Sequence, residues 1–171
     1  LFQASHQAYS KPPANSDRPT MIVESFLTQQ RTHCHLRLSS KKRALEEAAA
    51  RIAASEPALN SEEIYQYLTD RERLGSTAIG QGVAIPHCRM PGCRQITGAL
   101  ITLAEPIDFE AFDDEPVSTM FVLLVPPDET DEHLKVLALL ARNFESEYYR
   151  RALTTAHGDD ELYKRALSVL E

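Results

Sequence analysis

The stretch from Val117 to Val125, Val-Ser-Thr-Met-Phe-Val-Leu-Leu-Val, limits the folds open to this chain more than any other. It is nearly all apolar, has the length of a strand, and stops at Pro126-Pro127. A strand wetted on one face alternates apolar with polar residues, whereas an unbroken apolar run belongs to a strand covered on both faces. Gly98 to Ala104 gives a second strand signal, and Val83-Ala84-Ile85 a short β-branched one closed by Pro86. The covering layers are also legible. From Lys42 to Ser55 the positions Leu45, Ala48, Ala49, Ile52 and Ala53 recur at helical spacing, with Ser39 or Ser40 as cap and Pro57 as stop. Asn60 and Glu63 form a capping-box pattern for a second helix along Ile64, Tyr67, Leu68 and Arg71, ended by Gly75. Beyond the prolines, Thr130 is positioned to cap a helix with the stripe Leu134, Leu137, Leu140, Ala141 and Phe144. Two more helices are expected over Ser146 to Ala156 and Asp160 to Leu170, parted by Gly158. Helices before and after covered strands imply an α/β fold, a three-layer α-β-α sandwich around a mixed, mostly parallel central sheet.

The length of 171 residues suits one domain, and 43% hydrophobic with 25% charged residues is an ordinary globular mixture. Residues 1–20 carry Pro12, Pro13 and Pro19 without periodicity. They read as a flexible N-terminal extension or a cloning remnant, with the folded domain over residues 21–171. A formal net charge of −7 opposes binding to phosphate backbones. The one dense basic cluster, Lys41-Lys42-Arg43, reads as a solvated face at a helix start, so nucleic acid is not an expected partner. No apolar run approaches the roughly 20 residues of a membrane-spanning helix, and the first residues lack the apolar centre of a signal peptide. Three cysteines, Cys34, Cys88 and Cys93, form no disulfide framework, which fits a reducing compartment and a cytoplasmic location.

The chemistry concentrates in Gly75-Ser-Thr-Ala-Ile-Gly-Gln-Gly-Val-Ala-Ile-Pro-His87. Three glycines let backbone amides converge on a small anion, and Ser76 and Thr77 add hydroxyl donors. No Gly-Lys-Ser/Thr follows, so this is not a nucleotide-triphosphate loop. Pro86 cannot donate to a sheet ladder and ends the strand there, placing His87 at a carboxyl end, the edge where open α/β sheets bind ligands. With Thr130 as cap, His133 is the third residue of its helix, where the free amides and positive dipole end favour a phosphate nearby. Asp128, Glu129, Asp131 and Glu132 crowd the same turn and must point away for that to work. Two other readings compete. His87, Cys88 and Cys93, or His33, Cys34 and His35, are close enough in sequence to suggest a metal, but neither set has the paired spacing of structural zinc. Cys88 as a nucleophile beside His87 is disfavoured because neighbours on an extended segment point to opposite faces. His6, His33, His35 and His157 read as surface or local structural residues.

The run from Leu74 to His87 resembles the active-site signature of phosphotransferase-system enzyme IIA domains of the fructose/mannitol class (type 2). The similarity continues through Pro106-Ile-Asp-Phe-Glu-Ala-Phe-Asp-Asp114, Phe121 to Pro126, His133-Leu134, Ser40 to Glu46 and Asp160 to Tyr163. Within that class it is nearest to the nitrogen-regulatory, PtsN-type branch. The resemblance implies that His87 is phosphorylated, that His133 is the second active-site histidine, and that Arg71 is the arginine preceding the loop. Ser76 and Thr77 would join them in supporting the phosphoryl group. It implies a phosphorylated HPr-like carrier (NPr-type) as donor, no metal or nucleotide cofactor, and regulatory target proteins or a IIB subunit downstream. The alternative within the same chemistry is a stand-alone IIA subunit of a sugar permease.

Overall fold

The computed structural model of the protein describes residues 23–168; the expected N-terminal extension, residues 1–20, lies outside them. The central strand β6 (Val117–Val125) matches the apolar run residue for residue, and it earns its composition by facing two ways. Met120, Val122 and Leu124 point into one core with α1 (Lys41–Ser55) and α2 (Ser61–Arg73). Phe121 and Leu123 point into another with α3 (Asp131–Phe144), α4 (Glu147–Thr154) and α5 (Asp159–Ser168). The neighbouring strand β5 (Thr97–Ile107) divides in the same way, Ala99 and Ile101 to the first core and Leu100 to the second. Period-two alternation therefore feeds two cores from one strand, and the three-layer sandwich follows.

The remaining strands are β1 (Leu27–Leu36), β2 (Ala78–Gly80), β3 (Val83–Ala84) and β4 (His87–Arg89). The sheet order is β1-β5-β6-β3-β2, with β4 also on β6. It is a mixed sheet: β1–β5, β3–β6 and β4–β6 are parallel, while β2–β3 and the long central β5–β6 pair are antiparallel.

Several helix boundaries follow from side-chain chemistry. Ser40 accepts from the Arg43 amide, Asn60 from the amides of Glu62 and Glu63, and Ser146 from that of Tyr149. Three expectations need correction. Thr130 occupies the cap position of α3 but makes no side-chain cap, because its backbone (φ −118, ψ −55) is not extended. The Glu129 carboxylate accepts from the Glu132 amide instead, at 3.4 Å. The buried stripe of α3 is Val136, Leu140 and Phe144, and Leu134 stands 64% exposed. Finally, strand pairing does not end at Pro86. The proline interrupts donation, yet its carbonyl accepts from Leu123 at 2.9 Å, and pairing with β6 resumes at His87. The last predicted helix runs to Ser168, and residues 169–171 lie outside the described ones.

Candidate functional site

His87 opens β4, directly after the ladder break at Pro86. Alternation turns Cys88 into the α1/α2 core and leaves His87 and Arg89 on the opposite side, toward α3. The His87 ring stands 5.5 Å from that of His133, centroid to centroid, tilted by 59°. The helix start and the strand break, 46 positions apart in the chain, thus meet as the sequence suggested.

One hydrogen bond decides the protonation pattern of His87. Its Nδ1 lies 2.7 Å from the Ile85 carbonyl. A carbonyl only accepts, so Nδ1 carries the hydrogen and the neutral ring keeps its lone pair on Nε2. Burial lowers the pKa of His87, and the positive charge of Arg71 adds to this; the Ile85 bond and the Glu72 charge pull the other way. The pKa of His133 is lowered too, first by burial, then by His87 and Arg89. Its Nε2 is shielded and has no hydrogen-bond partner among the described residues. Two neutral imidazoles face each other.

The glycine-rich loop is shaped by positive backbone angles, at Gly80 (φ +90) and Gly82 (φ +77) with Gln81 (φ 60) between them. At Gly80 a Cβ would also lie 3.1 Å from the Phe112 ring and 3.2 Å from the Asp113 carboxylate, which accepts from the Gln81 amide at 3.0 Å. Arg71, in the last turn of α2, donates to the Gly75 carbonyl at 2.9 Å and so ties the helix end to the loop. Ser76 and Thr77 sit in this loop, but their hydroxyl hydrogens are engaged away from His87. Ser76 donates to the Phe109 carbonyl at 2.7 Å, and Thr77 donates to the Glu72 carboxylate. Both hold the loop in shape. The four acids before and within the first turn of α3 give little trouble: Asp128, Asp131 and Glu132 are exposed, Glu132 reaches toward Lys135, and Glu129 is spent on the helix start.

Three residues of the site went unread in the sequence. Arg89 donates to the carbonyls of Pro127 (2.9 Å) and Glu129 (2.5 Å), pinning the turn that presents His133. Its signal was its position two residues from His87 on one strand. Lys41, read as solvated, is mostly buried: its ammonium lies 2.8 Å from Glu72 and 4.8 Å above the Phe109 ring. Lys42 and Arg43 do behave as read, pairing with Glu46 at the surface. Glu72, 8% exposed, is the acid between Lys41 and the loop. Cys88 and Cys93 are buried thiols, with Cys88 pushed up to about 12 by burial, far from a thiolate. Among the described residues no group of three or more His, Cys, Asp or Glu is placed to hold a metal ion, and no helix is long and apolar enough to cross a membrane.

A mixed sheet between two helical layers, bringing two histidine rings together beside a glycine-rich turn, defines an α/β protein with a paired-imidazole site. Comparison with known proteins gives the family. Residues 25–168 match the family described as "Phosphoenolpyruvate-dependent sugar phosphotransferase system, EIIA 2", and the chain belongs to it. It is 40% identical over 147 residues to a nitrogen regulatory protein of Pseudomonas aeruginosa, covering 86% of this chain and 96% of that one. The nitrogen regulatory protein of Escherichia coli is 37% identical over 146 residues, 85% and 89% of the two chains. The solved nitrogen regulatory protein IIA-Ntr of Neisseria meningitidis superposes with a TM-score of 0.78 at 41% identity, covering 87% and 99%. The mannitol IIA of Escherichia coli shares the fold at a TM-score of 0.68 and 18% identity, covering 82% and 98%. The chain is thus a IIA domain homologous to the nitrogen regulatory proteins.

Proposed function

We propose that the protein is a phosphoryl carrier of a phosphotransferase system, accepting the group on Nε2 of His87 and acting in nitrogen-related regulation. The observation that carries this reading is the 2.7 Å bond from His87 Nδ1 to the Ile85 carbonyl. It leaves a lone pair on Nε2 of a ring that burial keeps neutral. The donor is a phosphorylated HPr-like carrier of the NPr type, met in the cytoplasm. Nε2 attacks its phosphorus, the new N–P bond forms as the donor's N–P bond breaks, and the electron pair returns to the donor imidazole. Charge spreads over three equatorial oxygens in between. Arg71, His133 and the loop amides stabilise that charge, while Ser76 and Thr77 hold those amides in place. The transferred group stays bonded to nitrogen, so it keeps its transfer potential and the step reverses. The nearly full-length match to nitrogen regulatory proteins favours regulatory targets over a IIB subunit as the downstream partner.

The test is chemical. The protein is incubated with phosphorylated carrier, and the product is divided among mild acid, alkali and hydroxylamine. Protonation makes an imidazole a good leaving group, so the phosphate should be lost in acid and kept in alkali. Phosphate that survives acid and is eliminated in base would place it on a serine or threonine hydroxyl and defeat the proposal.

A further inference from the structure

We propose that Glu72 is a positioning residue for the reacting imidazole, acting on His87 through Thr77 and Ile85. The inference rests on His87 being the acceptor, and adds to it the device that orients the ring.

An unbroken series of polar contacts runs from α1 to the histidine. Lys41 Nζ lies 2.8 Å from Glu72 Oε2. The Thr77 amide lies 3.3 Å from each Glu72 oxygen, and the Thr77 hydroxyl donates to the same carboxylate. The Thr77 carbonyl accepts from the Ile85 amide at 3.0 Å. The Ile85 carbonyl then accepts from His87 Nδ1 at 2.7 Å. Each link fixes the next peptide group.

The series matters because of Pro86. With no N–H at that position, the segment between Ile85 and His87 lacks one ladder bond to β6. The Thr77 contact is what restrains the Ile85 amide, and the Ile85 carbonyl selects which nitrogen of His87 is free to react. A carboxylate buried as deeply as that of Glu72 is expensive unless donors surround it. Here an ammonium, an amide and a hydroxyl do so, and the same ammonium rests on the Phe109 ring whose carbonyl holds Ser76. Helix, loop and strand break are locked together at one carboxylate.

A purely structural ion pair and a positioning one differ in what they do to the ring. The full chain carrying Glu72→Gln keeps the shape of the side chain and removes its charge. We expect ring-nitrogen NMR to show a single Nδ1–H tautomer for His87 in the wild type and a mixture in the variant. At saturating carrier the transfer rate should fall roughly 10- to 100-fold, the cost of a misplaced reacting group, with the half-saturating carrier concentration unchanged. Thr77→Val should reproduce the effect and Thr77→Ser should not. If circular dichroism shows Glu72→Gln unfolded, the two Thr77 variants decide the matter by the same readings. A folded Glu72→Gln, or failing that Thr77→Val, with the wild-type tautomer and rate overturns the proposal. The tautomer is read without any carrier, so a wild type that accepts no phosphoryl group would refute the acceptor assignment separately.

Discussion

The reactivity proposed for His87 rests on groups that are individually ordinary: a carbonyl that fixes its tautomer, a burial that lowers its pKa, and a second imidazole 5.5 Å away, centroid to centroid. In the proposed function Arg71 and His133 are donors to the charge that develops during transfer. Removing one such donor costs ~10²–10³ in rate. Arg71→Ala and His133→Ala should each slow phosphoryl acceptance by that order without abolishing it, as single-turnover kinetics with phosphorylated carrier would show; wild-type rates in both would remove them from the site. His87 stood out in the sequence as a candidate because a glycine-rich turn, a proline and a histidine in that order make a recognisable edge. The roles of Ser76 and Thr77 were less so, since a sequence shows that a hydroxyl is present but not which acceptor takes its hydrogen. Lys41 was misread for a related reason. Three consecutive cations at a helix start look equally solvated until the partner helix supplies a buried carboxylate to one of them.

At the scale of elements, apolar periodicity reported what it could. It marked β6, β5, α1 and α2, whose buried positions are mostly apolar. It was silent on β1, whose run Leu-Thr-Gln-Gln-Arg-Thr-His-Cys-His-Leu buries Arg31 and Thr32 where a pattern would ask for apolar residues. The burial of Arg31 is stabilised from outside the strand, by donation to the Gly98 carbonyl at 2.8 Å and an ion pair with Glu56 at 3.3 Å, and that of Thr32 from within it, by donation to the Thr28 carbonyl at 2.8 Å. The same corner explains a glycine. A Cβ on Gly98 would lie 2.9 Å from the Phe121 ring and 3.0 Å from the Phe26 carbonyl, and the two rings already pack edge to face at 5.9 Å. Overpacking of this kind costs about 1–3 kcal/mol. Gly98→Ala should therefore lower the urea midpoint by a corresponding amount while leaving the His87–His133 contact intact. An unchanged midpoint would mean that the β1–β5 corner yields more readily than its distances suggest. The α3 stripe was right at Leu140 and Phe144 but wrong at Leu134, which is apolar yet faces out beside His133, and it missed Val136; a face can be inferred from periodicity, but its rotation is set by the neighbours it packs on.

At the scale of the whole molecule, three histidines share one electrostatic condition. Burial lowers the pKa of His33, His87 and His133 below the ordinary 6.5. Above that pH they are neutral folded or unfolded, and contribute no pH dependence. Below it the unfolded chain takes up protons that the folded protein refuses, so stability falls with acidification from about pH 6.5 until the folded groups themselves titrate. Urea unfolding at a series of pH values should show that decline, and stability that rises through the same window would contradict it. The condition serves the chemistry, because a ring that stays neutral keeps its lone pair. The proposal that the phosphoryl group is accepted on Nε2 of His87 rests on the family match and on the Nδ1 bond to the Ile85 carbonyl. The most direct measurement is nitrogen–phosphorus NMR of the protein after reaction with phosphorylated carrier, alongside the mass of His87→Ala treated identically. The account predicts phosphorus coupled to Nε2 of His87 and no mass gain in the variant. Phosphorus on any other atom, or a full gain in His87→Ala, would contradict it.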